Sequence, residues 1–190
     1  MKFFSLALLL GLTMSTANAA KPVKILLETS SGNITLELDA DKAPKTVANF
    51  VQYVNDKHYE GVVFHRVIKG FMVQGGGYDA KYKERATRKS IENEAKNGLK
   101  NVRGSIAMAR TNAPHSASAQ FFINHKDNGF LDYPGQDGWG YCVFGKVVEG
   151  MDIVDKIADS PTQGGPPFGS DMPIVPITIN KATVISPAAK

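Results

Sequence analysis

Phe64-His65-Arg66-Val67-Ile68-Lys69-Gly70-Phe71-Met72-Val73-Gln74-Gly75-Gly76 is the stretch on which the reading of this chain turns. It holds two β-type runs. Val62 to Ile68 reads as a strand, and Phe71 to Gln74 as a second, with a kink at Gly70 between them and Gly75-Gly76-Gly77 as its end. Side chains alternate along a strand, so Arg66, Met72 and Gln74 share parity and face the same way if the kink keeps register. Phe71 joins them only through that kink. A lone arginine on a strand is ordinarily a solvated residue. One that shares a face with a methionine, an amide and an aromatic ring is a candidate for chemistry.

Upstream, Val23 to Thr29 and Ile34 to Leu38 flank a turn at Ser30-Ser31-Gly32-Asn33, the pattern of a β-hairpin. The period then changes. Pro44 suits the first turn of a helix, and Val47, Phe50, Val51 and Val54 follow at i, i+3, i+4 and i+7, predicting an amphipathic helix over Pro44 to Asn55. Downstream, residues 79–103 are polar and irregular, a long surface excursion. Ser105 to Ala109, Gln120 to Asn124 and Tyr141 to Val147 read as strands. Met151 to Ala158 reads as a second short helix with Ile153, Val154 and Ile157 as its apolar face. Residues 160–173, rich in Gly, Pro and Ser, read as a loop, and Ile177 to Ile185 as a closing strand. The tally is about eight strands and two helices, mostly β and antiparallel. Eight strands suffice to close a barrel, with the helices over its open ends. Phe121 and Phe122 point to opposite faces of their strand, which predicts one in the core and the other exposed.

The N-terminus carries Lys2, an apolar run from Phe3 to Leu12, and Ala17-Asn18-Ala19, the layout of a secretory signal peptide. A run of about ten residues is short of the roughly 20 that a spanning helix needs. Residues 1–19 are therefore expected to be removed after Ala19, or after Ala20 as second choice. Residues 20–190 remain as a single soluble domain without membrane association. The periplasm is the expected destination, with secretion into the medium the second choice.

Several function classes lack support. The net charge is +4, and basic residues are interspersed with acidic ones, so no nucleic-acid footprint is present. The densest basic run, Lys81 to Lys89, contains Glu84 and reads as a solvated loop. The four histidines, His58, His65, His115 and His125, do not sit at metal-ligand spacing. His115-Ser116 invites a hydrolase reading, but Ser116 is not in a G-x-S-x-G context. Gly75-Gly76-Gly77 follows a strand without the Lys-Ser/Thr of a phosphate loop. The single cysteine, Cys142, cannot form an internal disulfide and reads as a small core residue.

The decisive stretch resembles the cyclophilin signature, from Phe64-His65-Arg66 through Gly70-Phe71-Met72-Val73-Gln74-Gly75-Gly76. Gln120-Phe121-Phe122-Ile123 and Val143-Phe144-Gly145-Lys146-Val147 are similar to two further motifs of that family, in order. Ala43-Pro44-Lys45-Thr46-Val47-Ala48-Asn49-Phe50 resembles its first helix, and the likeness runs from about residue 23 to 185. The resemblance implies a closed eight-stranded antiparallel β-barrel capped by two α-helices. A groove for proline peptides would lie on its outer face, without a cofactor or metal, in a monomer. The implied activity is peptidyl-prolyl cis-trans isomerisation, assisting the folding of exported proteins. The alternative is a module on the same fold that binds proline-containing chains, or acts as a chaperone, without useful turnover. Arg66 corresponds to the family's catalytic arginine, and Gln74 would hold Arg66 or the substrate backbone. Phe71, Met72, Phe122 and Leu131 would line the proline pocket. Gln120 and the backbone of Ala109 and Arg110 would contact the peptide. There are departures. Residues 109–120 resemble the bacterial variety, Phe130 stands where animal members carry Trp, and Tyr141 stands where they carry His. That Trp matters for ciclosporin in the family, so weak ciclosporin binding is expected, whereas Tyr141 keeps an aromatic body with a polar tip.

Overall fold

The computed structural model describes residues 22–165 and 168–186, and the expected signal peptide lies outside them. Strand β1 (Val23–Thr29) alternates strictly, burying Val23, Ile25 and Leu27 and leaving Lys24, Leu26 and Glu28 half-buried. It pairs along its whole length with β2 (Gly32–Leu38), from Val23 opposite Leu38 to Thr29 opposite Gly32. Helix α1 (Pro44–Asn55) starts on its proline and buries Thr46, Val47, Phe50, Tyr53 and Val54. Val51, expected on that stripe, is only half-buried, and Tyr53 takes its share of the interior.

The remaining elements are β3 (Val62–Ile68), β4 (Met72–Asp79), β5 (Ser105–Met108), β6 (Phe121–Asn124), β7 (Val143–Glu149), α2 (Met151–Ala158), β8 (Thr162–Gly165), β9 (Gly169–Pro173) and β10 (Thr178–Ser186). Eight of the strands close into an antiparallel barrel in the order β1-β10-β3-β4-β6-β5-β7-β2, as expected. Closure leaves the barrel no free edge for another chain to extend. Its interior forms one core with α1 and α2, which contribute Val47, Phe50, Val54, Val154, Ile157 and Ala158. Phe50 sits at the centre, 5.5 Å from Phe121 edge-to-face, 5.2 Å from Phe144 and 4.9 Å from Tyr59, ring centre to ring centre. The buried Tyr59 hydroxyl donates to the Ala119 carbonyl at 2.9 Å, so its polar atom is satisfied.

Three expected element boundaries need correcting. The triple glycine does not end β4, which runs on through it to Asp79. Glycine is needed there because the strand crosses tight neighbours. A Cβ on Gly76, whose φ is +94°, would meet the Ala119 carbonyl at 2.8 Å, and one on Gly77 would meet the Gln120 side chain at 2.6 Å. The stretch expected as a loop at 160–173 contains a two-stranded hairpin, β8–β9, separate from the barrel. Finally, β7 begins at Val143 and not Tyr141, although the Cys142 carbonyl still accepts from the Met108 N–H at 3.0 Å.

A second, smaller core lies on the other face of the same strands. It contains Met72, Ala107, Phe122, Leu131 and Val143, with Ile68, Phe71, Leu99, Ala109 and Tyr141 packed against it. Phe121 and Phe122 therefore do face opposite ways, but neither is exposed. Phe121 fills the barrel and Phe122, at 4% exposure, fills this outer core.

Candidate active site

The turn between β3 and β4 sets the site. Ile68 pairs with Met72 and Arg66 with Gln74, so Arg66, Met72 and Gln74 lie on one face as their parity predicts. Gly70 takes φ +72°, and its N–H donates to His125 Nδ1 at 2.9 Å. The Phe71 carbonyl accepts from the His125 N–H and from Asn128 Nδ2, both at 2.9 Å. Those bonds fix the turn and bring Phe71 onto the outer face.

β6 supplies Phe122, opposite Gln74 in register, and the segment after β6 supplies Leu131 from a short 3-10 turn (Gly129–Leu131). The Tyr141 N–H donates to the Leu131 carbonyl at 2.8 Å, which draws Tyr141 into the same wall. A buried polar network supports that segment from behind. Asn128 Nδ2 donates to Asn124 Oδ1 at 2.7 Å, Asn124 Nδ2 donates to Ser105 Oγ at 2.9 Å, and Asp132 Oδ1 accepts from the Asn101 N–H at 2.7 Å.

Together these elements enclose a cavity of about 140 Å³ lined by Arg66, Phe71, Met72, Gln74, Ala109, Arg110, Phe122, Leu131 and Tyr141. Nine of the eleven expected site residues thus meet in one place. The other two flank it. Gln120 accepts at Oε1 from Gln74 Nε2 at 2.9 Å, and Phe130, 51% exposed, stacks on Phe71 with ring centres 5.8 Å apart. The cavity is well below the roughly 300–1,000 Å³ of drug-sized sites. It suits one small ring with the rest of the ligand outside.

The charges are arranged asymmetrically. Arg110 is a wall residue: its side chain is only 3% exposed, Nε and Nη2 donate to the Gly140 carbonyl at 3.1 and 2.9 Å, and it is ion-paired with Asp137. Its guanidinium also lies 4.5 Å from the centre of the Tyr141 ring. That pairing and two backbone bonds hold the Asp137 carboxyl down at about 2. Arg66, by contrast, is 38% exposed at the cavity rim. Among the described residues no hydrogen bond joins it to Gln74, whose Nε2 donates to Gln120 Oε1. Arg66 Nε donates instead to Asp171 Oδ2 at 3.1 Å, a partner from β9. Sequence reading missed Asp171 because nothing in a polar Gly- and Pro-rich stretch singles out one carboxylate.

Beside the cavity, His65 is 1% exposed, with its ring centre 4.7 Å from Tyr78 and 4.9 Å from Phe168. Among the described residues its Nδ1 finds no hydrogen-bond partner. Burial, aided by the Arg66 charge, pushes the imidazole down to about 4. His115 and Ser116 do not form a catalytic pair. Ser116 Oγ donates to the Ala113 carbonyl at 2.7 Å, while His115 Nδ1 accepts from the Asn93 N–H at 3.0 Å. A larger cavity of about 340 Å³ lies elsewhere, along Glu37 to Asp41, Leu99, Lys100, Val102 and Lys146. It has more volume but no comparable convergence of a rim guanidinium, amides and aromatic rings, so the smaller cavity is the better candidate.

Comparison with known proteins identifies the family and the fold. A family model described as cyclophilin type peptidyl-prolyl cis-trans isomerase/CLD matches residues 24–184. The chain is 53% identical over 167 residues to peptidyl-prolyl cis-trans isomerase A of Dickeya dadantii (strain 3937), covering 88% of this chain and 87% of that protein. It is 51% identical over 162 residues to peptidyl-prolyl cis-trans isomerase B of Escherichia coli (strain K12), covering 84% and 98%. Among solved structures, a cyclophilin type peptidyl-prolyl cis-trans isomerase of Cryptosporidium parvum superposes with a TM-score of 0.70 at 25% identity, covering 88% of this chain and 99% of that one.

Proposed function

The chain belongs to the cyclophilin family of peptidyl-prolyl cis-trans isomerases, and from that premise we propose that it turns X–Pro bonds in exported polypeptides, using Arg66 to favour the twisted amide. The observation that carries this is the cavity geometry: a guanidinium at the rim of a small apolar pocket, facing Gln74 across the strand pair. The Cryptosporidium parvum relative has also been solved in the presence of the dipeptide ala-pro, with a TM-score of 0.69 at 25% identity.

The chemistry follows from the amide. The nitrogen lone pair is shared with the carbonyl, and rotation costs about 18–20 kcal/mol. Uncatalysed exchange takes roughly 10–100 s at 25 °C. No bond breaks, so no nucleophile or titrating base is required. The protein has only to bind the twisted state better than the planar ones. In the twisted state the lone pair is localised on nitrogen, which becomes a hydrogen-bond acceptor. The guanidinium of Arg66 is always charged and can donate to it. Phe71, Met72, Phe122 and Leu131 take the proline ring and exclude water, which strengthens that interaction. Gln120, linked to Gln74, and the backbone of Ala109 and Arg110 hold the peptide while the preceding carbonyl rotates.

A turnover of about 10³ s⁻¹ would be an acceleration on the order of 10⁴–10⁵, or roughly 5–7 kcal/mol. One charge-assisted hydrogen bond supplies about 1.5–3 kcal/mol of that. Orientation and desolvation in the pocket supply the rest. Arg66→Ala should therefore lower kcat/KM about 10- to 200-fold and leave measurable catalysis. The apolar run and Ala-x-Ala pattern at the N-terminus support export to the periplasm, where such substrates would be met as a soluble monomer.

The test is the cis-to-trans exchange rate of a short Ala-Pro-Phe-type peptide by NMR, with the wild type and with folded Arg66→Ala. Fast exchange that is lost in the variant supports the assignment. No acceleration by the wild type leaves a proline-peptide binding protein. Equal acceleration by both keeps the isomerase and removes Arg66 from its mechanism.

A further inference from the structure

Resting on the reading of Arg66 above, we propose that Asp171 is the positioning residue of this isomerase, and that the β8–β9 hairpin exists to deliver it. Among the described residues, the bond to Asp171 Oδ2 at 3.1 Å is the one hydrogen bond made by the Arg66 side chain. The bond uses Nε, so both Nη groups remain free to donate. Asp171 lines neither the 140 Å³ pocket nor the adjoining groove of Arg66, His65, Gln74, Tyr78, Gln120 and Phe168. It therefore grips the guanidinium without occupying the place of a ligand.

The hairpin is built to hold that carboxylate still. Ser170 Oγ donates to Asp171 Oδ1 at 3.2 Å, and the Asp171 N–H donates to the Phe168 carbonyl at 3.4 Å. Phe168 docks the hairpin on the barrel, with its ring centre 4.9 Å from His65 and 4.7 Å from Tyr78. Tyr82 closes the other side, its hydroxyl donating to the Pro173 carbonyl at 3.1 Å. His65 and Arg66 are adjacent on β3, so the same strand that presents the guanidinium also receives the aromatic anchor. Gln74, opposite Arg66 in register, donates its Nε2 to Gln120 and makes no hydrogen bond to Arg66 among the described residues. A long, 38% exposed arginine side chain is thus confined before substrate arrives.

Confining one long side chain in advance corresponds to about a 3- to 10-fold effect on rate. Asp171→Ala should lower kcat of the proline-peptide reaction by about that factor with KM little changed, and Asp171→Glu should recover part of it. In the double variant Arg66→Ala/Asp171→Ala, the second change should add nothing to the first. The Arg66 Nε–H NMR signal should broaden in Asp171→Ala while the thermal midpoint stays close to wild type. Phe168→Ala, which removes the aromatic anchor of the hairpin, should lower kcat in the same direction.

Three results would overturn the proposal. A loss in Asp171→Ala that is fully additive with Arg66→Ala would mean that the two act separately. A rise in kcat/KM would mean that Asp171 competes with substrate for the guanidinium. An Arg66→Ala variant as active as the wild type would remove the reading of Arg66 itself, and this inference with it; that outcome is told apart because it appears in the single arginine variant.

Discussion

Lowering the pH from 7 to 4.5 should destabilise this protein through His65 in a way that carboxylates do not explain. His65 is 1% exposed, its Nδ1 has no partner among the described residues, and burial pushes its imidazole down to about 4 in the folded protein. An unfolded chain carries the same group at about 6.5. The folded value is the lower one. Above about pH 6.5 both states hold the imidazole neutral, and His65 contributes nothing to pH dependence. Between about 6.5 and 4 the unfolded chain takes up a proton that the folded protein refuses, so stability falls as pH falls. Below about 4 both states are charged and the loss stops growing. The full difference corresponds to about 3 kcal/mol, with a limiting slope of about 1.4 kcal/mol per pH unit. That is a large share of the 5–15 kcal/mol that holds a typical domain folded. The assay is urea unfolding of wild type and His65→Phe at pH 7.5, 6, 5 and 4.5. Phe is an apolar ring that can pack against Tyr78 and Phe168 without titrating. Carboxylates titrate in both proteins and cancel in the difference. The stability gap should move in favour of the variant by about 2–3 kcal/mol across that range. Parallel curves, or an NMR titration placing folded His65 above about pH 6, would refute the argument that burial sets its charge.

Two further outcomes follow from close approaches. Gly77→Ala would place a Cβ 2.6 Å from the Gln120 amide, the flexible end of a side chain, so Gln120 should move and its bond to Gln74 should break. The expected result is a KM for proline peptides raised about 3- to 10-fold, with the thermal midpoint lowered by only a few degrees, read by NMR exchange and calorimetry. Cys142 is buried, and burial pushes its thiol up to about 11, so a disulfide reagent at pH 8 should label it only after denaturant is added, read by absorbance at 412 nm.

Legibility in the sequence followed the strength of local periodicity. Both helices fall at the expected residues, because Val47, Phe50 and Val54 in one and Val154 and Ile157 in the other repeat at helical spacing with clear boundaries. β3 was equally plain. The extension of β4 through Gly75-Gly76-Gly77 was not, because three glycines carry no alternation; the need for them lies in distant partners, the Ala119 carbonyl and the Gln120 side chain. β8 and β9 are hidden for a related reason. Thr162–Gly165 and Gly169–Pro173 bury only Pro173 outright, so no apolar pattern marks them as strands. Asp171 follows from that blindness. Its meaning depends on a contact across 105 residues, and one carboxylate in a polar loop looks like any other. The pocket residues were legible by family likeness and, for Arg66, Met72 and Gln74, by parity alone.

The two cores separate the pocket, with its departures from the family pattern, from the interior of the barrel. On β6, Phe121 and Ile123 face the barrel interior while Phe122 faces the pocket, and on β4, Val73 faces inward while Met72 faces out. Each strand therefore serves stability with one face and recognition with the other. The inner face belongs to a core of more than thirty buried residues, which fixes backbone positions regardless of what lies outside. The outer core has five buried members, and its rim residues Phe130 and Tyr141 are exposed and half-buried. Exchanging an aromatic at the rim alters ligand contacts while leaving the barrel that carries Arg66 untouched. The converse holds for Arg66 itself. The barrel aims its Cα but cannot hold its long side chain, so the orientation of the guanidinium has to come from outside the barrel, and the hairpin bearing Asp171 is the element positioned to supply it.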